Sequence, residues 1–171
     1  MQLEDLGLLI VDDEFSVRDS LDAWVRKDGY RTGTAANANE ALDAMERGSW
    51  HVILLDIRMP GMDGIELLGR LLKIDPELQV IMITAFSTVE TAVQALKMGA
   101  FDYVTKPIDP DELSHLVRRA AERRVLRSDN ERLRRHVDKL VTPSQIVGES
   151  RAMIRVLEMV RSVADSDSTV L

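Results

Sequence analysis

Cysteine is absent from the 171 residues, so neither a disulfide nor a thiolate metal site can be built from this sequence. Histidine is scarce. His51, His115 and His136 lack the close spacing that would bring two imidazoles onto one ion, and each reads as a surface or packing residue. No apolar run approaches the roughly 20 residues of a membrane-spanning helix, which argues against membrane insertion. Met1 to Leu6 holds two acids and no base, unlike a secretory signal or an Arg-rich transit peptide, so the cytoplasm is the expected location. A phosphate-cradling G-x-x-x-x-G-K-S/T run is also missing, which excludes P-loop ATP hydrolysis by these residues.

What is present suits a globular chain: 45% hydrophobic and 30% charged residues, enough for one packed domain of about 100–150 residues and an appendage. The net charge of −7 conceals a segregation: residues 1–117 carry 21 acids and 10 bases, whereas residues 118–139 carry 9 bases and 4 acids. The chain changes character near Val117.

Leu8 to Val11 is a short continuous apolar run, expected of a strand buried on both faces of a parallel sheet, and it stops at Asp12-Asp13-Glu14. Val17, Leu21, Trp24 and Val25 recur at helical spacing until Asp28-Gly29, and Tyr30 to Ala35 reads as a second strand. The alternation continues with helix 40–47, strand Val52 to Leu55, helix 65–72, strand Val80 to Ile83, helix Val89 to Met98 and strand Phe101 to Val104. Five strands alternating with helices predict a doubly wound α/β fold with an open parallel sheet covered on both faces. In such folds chemistry gathers just past the carboxyl ends of the strands. Those positions hold Asp12, Asp13, Asp56, Thr84 and Lys106.

Three converging carboxylates repel one another unless a cation sits among them. Mg²⁺ suits oxygen ligands and keeps several waters. Asp13 and Asp56 are the expected direct ligands, Asp12 acts through a water, and the backbone carbonyl of Arg58 supplies a further oxygen. Asp56 precedes the turn-rich Met59-Pro60-Gly61-Met62-Asp63-Gly64, which would leave its carboxylate accessible as a nucleophile for phosphoryl transfer. Lys106 could neutralise one phosphoryl oxygen, and the Thr84 hydroxyl could donate to another.

Asp12-Asp13 after the first strand, Asp56 with Met59-Pro60-Gly61 after the third, Thr84-Ala85 after the fourth and Lys106-Pro107 after the fifth resemble the receiver domains of two-component response regulators, across about residues 6–122. The resemblance implies a flavodoxin-like fold with strand order 2-1-3-4-5, Mg²⁺-dependent phosphorylation of Asp56 by a sensor histidine kinase, and a cis peptide at Lys106-Pro107. It also implies that Tyr103 is a switch aromatic that turns inward as Thr84 moves toward the phosphoryl group. Arg58 and Phe86 flank the site and are candidates for tuning hydrolysis of the acyl phosphate. Such a domain is a phosphoacceptor switch that catalyses its own phosphoryl transfer and hydrolysis, not a multiple-turnover enzyme. The competing reading is a Mg²⁺-dependent small-molecule phosphatase or phosphotransferase. It lacks the Asp-x-Asp pair of haloacid-dehalogenase-like phosphatases, since position 58 is Arg58.

From Asp109 the chain reads as one long helix ending before Pro143. Leu126, Asn130, Leu133, Val137 and Leu140 follow the 4-3-4-3 spacing of a coiled-coil seam with one polar position, whereas Leu113, Leu116 and Ala120 are out of phase. The expected organisation is a receiver over 1–122, a helical dimerisation linker over 123–142 and a further fragment over 143–171. A homodimer through the linker, and through the fourth and fifth receiver helices, follows. The arginines from Arg118 to Arg135 alternate with acids and read as a solvated flank rather than a nucleic-acid site. Ile146 to Ser150, Met153 and Val163 to Leu171 resemble the opening of the AAA+ domain of NtrC-type, sigma-54-dependent activators. That resemblance implies contact with sigma-54 RNA polymerase and DNA only through domains beyond these residues.

Overall fold

The computed structural model describes residues 6–85, 89–141, 154–156 and 158, with the side chains of 89, 129–131 and 135–141 left aside. Five strands, β1 (Gly7–Val11), β2 (Arg31–Ala35), β3 (Val52–Asp56), β4 (Gln79–Thr84) and β5 (Asp102–Thr105), alternate with α1 (Phe15–Lys27), α2 (Ala38–Arg47), α3 (Gly64–Ile74), α4 (Val89–Met98) and α5 (Pro110–Val141). All strand pairs are parallel, in the order β2-β1-β3-β4-β5. The doubly wound sheet and its predicted order are therefore present.

The three central strands are apolar in their interiors because both faces are covered, with Asp56, Gln79 and Thr84 only at strand ends. Leu8, Ile10, Val52, Leu54, Ile81 and Ile83 pack with Leu21 and Val25 of α1 and with Leu113, Val117 and Ala121 of α5. The alternate residues Leu9, Val11, Ile53, Leu55, Val80 and Met82 pack with Ala41 of α2, Leu67, Leu68 and Leu71 of α3 and Ala95 of α4. Period-2 alternation thus divides one apolar run between two cores. Outer strands β2 and β5 are only partly buried. The fifth strand begins at Asp102 rather than Phe101, whose amide donates to the Val80 carbonyl at 2.7 Å while its ring packs beside the first core.

Helix ends follow local chemistry. Asn37 accepts from the Glu40 amide at 3.0 Å, and Glu40 reaches back to the Ala36 amide at 2.8 Å, tying down the start of α2 from both sides. Asp63 accepts from the Glu66 amide at the start of α3, and Asp109 accepts from the amides of Asp111 and Glu112 at the start of α5. Helix α1 stops where Gly29 takes a φ of 90°.

The chain divides into two compact units, Met1–Asn130 and Glu131–Leu171. In the first, the early turns of α5 bury Leu113, Leu116, Val117, Ala120 and Ala121 on the sheet, while Leu126 is 70% exposed. The early apolar positions of α5 therefore serve the sheet. In the second, Leu133 is exposed. The seam side chains Asn130, Val137 and Leu140, and most of residues 142–171 with the AAA+-like stretch, lie outside the described residues. No helix among the described residues is long and apolar enough to cross a membrane.

Candidate phosphoacceptor site

The reversal of strand order between β1 and β3 opens a crevice at their carboxyl ends. Val11 pairs with Leu55, so Asp12, one residue past β1, and Asp56, the last residue of β3, stand side by side. Asp56 pairs with Ile83, which puts Thr84 one residue further along β4, and Thr84 pairs with Thr105 next to Lys106. The Lys106 amide donates to the Thr84 carbonyl at 2.8 Å. Lys106-Pro107 is a cis peptide, as the family resemblance implies.

Lys106 joins the two acids. Its Nζ lies 2.8 Å from Asp12 Oδ2, 2.9 Å from Asp56 Oδ1 and 3.6 Å from Glu14 Oε1. Asp12 is 0% and Asp56 4% exposed. The remaining carboxylate oxygens are held by backbone: Asp12 Oδ1 accepts from the Glu14 amide at 2.9 Å and Asp56 Oδ2 from the Arg58 amide at 2.7 Å. Burial pushes the Asp56 carboxyl above its ordinary value; the hydrogen bond and charge of Lys106 oppose this, and neighbouring Asp12 adds to it. For Lys106, burial works against the ammonium, but the hydrogen bonds and charges of Asp12 and Asp56 outweigh it and raise the ammonium above its usual range.

Two buried carboxylates share one ammonium, leaving a net negative pocket that favours a further cation. Their oxygens already converge on a single positive atom, and hard carboxylate oxygens are the donors that Mg²⁺ prefers, so the residues fit such an ion. Asp13, beside this pair, and Arg58 are exposed. Among the described residues no three carboxylates or imidazoles form a ready metal cage. Thr84 is buried, and Tyr103 on β5 is 37% exposed. Phe86 lies outside the described residues.

Sequence reasoning missed three contributors. Glu14 reaches Lys106, and the Arg18 Nη1 donates to the Asp12 carbonyl at 2.6 Å, bracing the acidic turn from α1. Gly64 opens α3 directly against the Asp56 carbonyl, where an added Cβ would clash with it and come within 2.8 Å of Ile57 Cα. The Asp63-Gly64 helix start was the available signal: a cap followed by a residue without a side chain marks close backbone approach.

Comparison with known proteins agrees with this geometry. The family model described as "Response regulator receiver domain" matches residues 8–118. The chain is 39% identical over 175 residues to the transcriptional regulatory protein ZraR of Klebsiella oxytoca, covering 100% of this chain and 38% of that protein. It is 33% identical over 165 residues to the C4-dicarboxylate transport transcriptional regulatory protein DctD of Rhizobium meliloti, covering 96% and 36%. The crystal structure of NtrX from Brucella abortus matches with a TM-score of 0.71 at 34% identity, over 95% of this chain and 35% of that one. The chain thus spans little more than a third of the length of these relatives.

Proposed function

Because this chain belongs to the response regulator receiver family, we propose that it is a phosphorylation switch in which Asp56 takes a phosphoryl group from a sensor histidine kinase. The observation that carries the reading is the Lys106 ammonium held between the buried carboxylates of Asp12 and Asp56 at the crevice between β1 and β3. A carboxylate oxygen of Asp56 attacks phosphorus as the phosphorus–nitrogen bond to the donor imidazole breaks, and that bond's electron pair stays on the imidazole nitrogen. Lys106 keeps its bond to Asp12 and follows the new negative charge onto the phosphoryl group. Thr84 donates its hydroxyl to a second phosphoryl oxygen, and Tyr103 occupies the space this movement vacates. Water later attacks phosphorus, the bond to the Asp56 oxygen breaks with its electron pair left on the carboxylate, and inorganic phosphate departs as the water's proton passes to solvent; this site catalyses both transfer and hydrolysis.

Asp12, Asp13, Asp56 and the Arg58 carbonyl would hold Mg²⁺, with Asp13 and Asp56 direct and Asp12 through a water. When bound, the ion supplies charge neutralisation and oxygen coordination for the phosphoryl group. The fit rests on the convergence of Asp12 and Asp56 and on the net negative charge of the pocket.

The organisation proposed is a receiver over 1–122, a dimerising helical linker over 123–142 and the start of a sigma-54-type AAA+ output domain over 143–171, acting in the cytoplasm. Exposed Leu126 supports the seam, and exposed Val93 and Leu96 on α4 support a second self-contact through α4 and α5. Polymerase and DNA would be reached only through further domains. Incubation with acetyl phosphate and Mg²⁺ is the test. The switch takes up about one phosphoryl group per chain and then loses it slowly. Many turnovers on varied phosphoesters would instead identify a phosphatase.

A further inference from the structure

Helix α5 is tied to the receiver at the end of the sheet away from Asp56. The turn between α3 and β4 is Asp75-Pro76-Glu77-Leu78, with Leu78 buried. Asp75 Oδ1 accepts from the Glu77 amide at 2.8 Å, so the turn closes on itself and the Asp75 carboxylate is positioned by backbone. Arg124 meets Asp75 with two nitrogens: Nη2 lies 3.0 Å from Oδ2 and Nη1 3.3 Å from Oδ1. Arg127 lies 3.2 Å from Glu77 Oε1. The Arg124 and Asp75 side chains are only 18% and 26% exposed. A forked, partly desolvated pair of this kind is held more firmly than an exposed single-contact pair.

Two further contacts bracket these pairs. Val125 packs on the first core, and the guanidinium groups of Arg119 and Arg123 sit 5.7 and 5.6 Å from the centre of the Phe101 ring, just before β5. Four arginines of the segment that reads as a solvated flank therefore have partners on the receiver itself. Arg124, Val125 and Arg127 also carry the receiver's packing past residue 122.

We infer that Arg124 and Arg127 form an ionic clamp with the Asp75–Glu77 turn that holds α5 against the receiver as far as Arg127 and so fixes the heading of exposed Leu126. Helix α3 begins against the Asp56 backbone and is capped by Asp75, so the clamp couples this stretch of α5 to α3. The use of that heading rests on the dimer reading above; the clamp itself rests on receiver residues alone.

The test is amide hydrogen exchange on the whole 171-residue chain, at a concentration where it is monomeric, so that failure of the clamp and failure of the dimer leave different records. Arg124→Gln/Arg127→Gln keeps helix propensity, and Asp75→Asn/Glu77→Gln removes the same pairs from the other side. In both, amides of residues 121–128 are expected to exchange about tenfold faster. Residues 110–118 and the strands keep their protection, and Asp56 takes up phosphoryl from acetyl phosphate at the parent rate, which certifies the fold. Protection at 121–128 unchanged from the parent in both variants would overturn the clamp.

Discussion

At the scale of single residues, the site works by holding charge where burial disfavours it. The Asp56 carboxyl is raised by burial against the pull of Lys106, so the folded state binds that proton more tightly than the unfolded chain does. The associated stability is complete below the ordinary value of 3.8 and is lost as pH rises through the raised folded value. At neutral pH the native chain carries the charge at a cost that a neutral isostere removes, while Lys106 keeps Asp12 and Glu14. Asp56→Asn is therefore expected to be more stable than the parent at pH 7 in a chelating buffer, by about 1 kcal/mol. Thermal melting should show this gap closing as the pH is lowered toward 4; an Asn variant that melts below the parent at pH 7 would contradict it. The acids and Lys106 were legible in sequence because strand ends announce themselves by abrupt loss of apolar character. Their partners were not: Lys106 and Asp12 are 94 residues apart, and nothing local tells which of Asp12, Asp13 or Glu14 faces the ammonium.

At the scale of elements, α3 is placed by the absence of a side chain. A methyl group at Gly64 would meet backbone of Asp56 and Ile57, which cannot rotate away. Gly64→Ala is expected to cost about 2–3 kcal/mol and, by displacing the end of β3, to slow phosphoryl uptake at Asp56; denaturant melts and labelling rates check the two effects separately. On α5, Leu126 is exposed in the single chain, so Leu126→Asp should leave receiver melting unchanged and weaken self-association more than tenfold by sedimentation, if the seam joins two copies. Strands β1, β3 and β4 were readable because burial on both faces demands continuous apolar runs. The edge strand β5 was placed one residue early, since Phe101 is apolar for a different reason: it packs beside the core and under Arg119 and Arg123.

At the scale of the whole molecule, alternation of elements was enough for a doubly wound sheet, whereas strand order was not. Order is a long-range property, and it came from the resemblance carried by the four strand-end motifs. Charge segregation was visible in composition but misread in part, because the basic stretch after Val117 spends Arg119, Arg123, Arg124 and Arg127 on the receiver. An ion pair across about 50 residues leaves no local pattern.

The central claim is that Asp56 receives the phosphoryl group. Treatment with acetyl phosphate and Mg²⁺, reduction of the acyl phosphate with borohydride and peptide mass spectrometry would locate it. The modification is expected on Asp56 alone and should be lost in Asp56→Asn. Equal labelling of the Asn variant, or label mapped to Asp12 or Asp13 in the parent, would contradict the account.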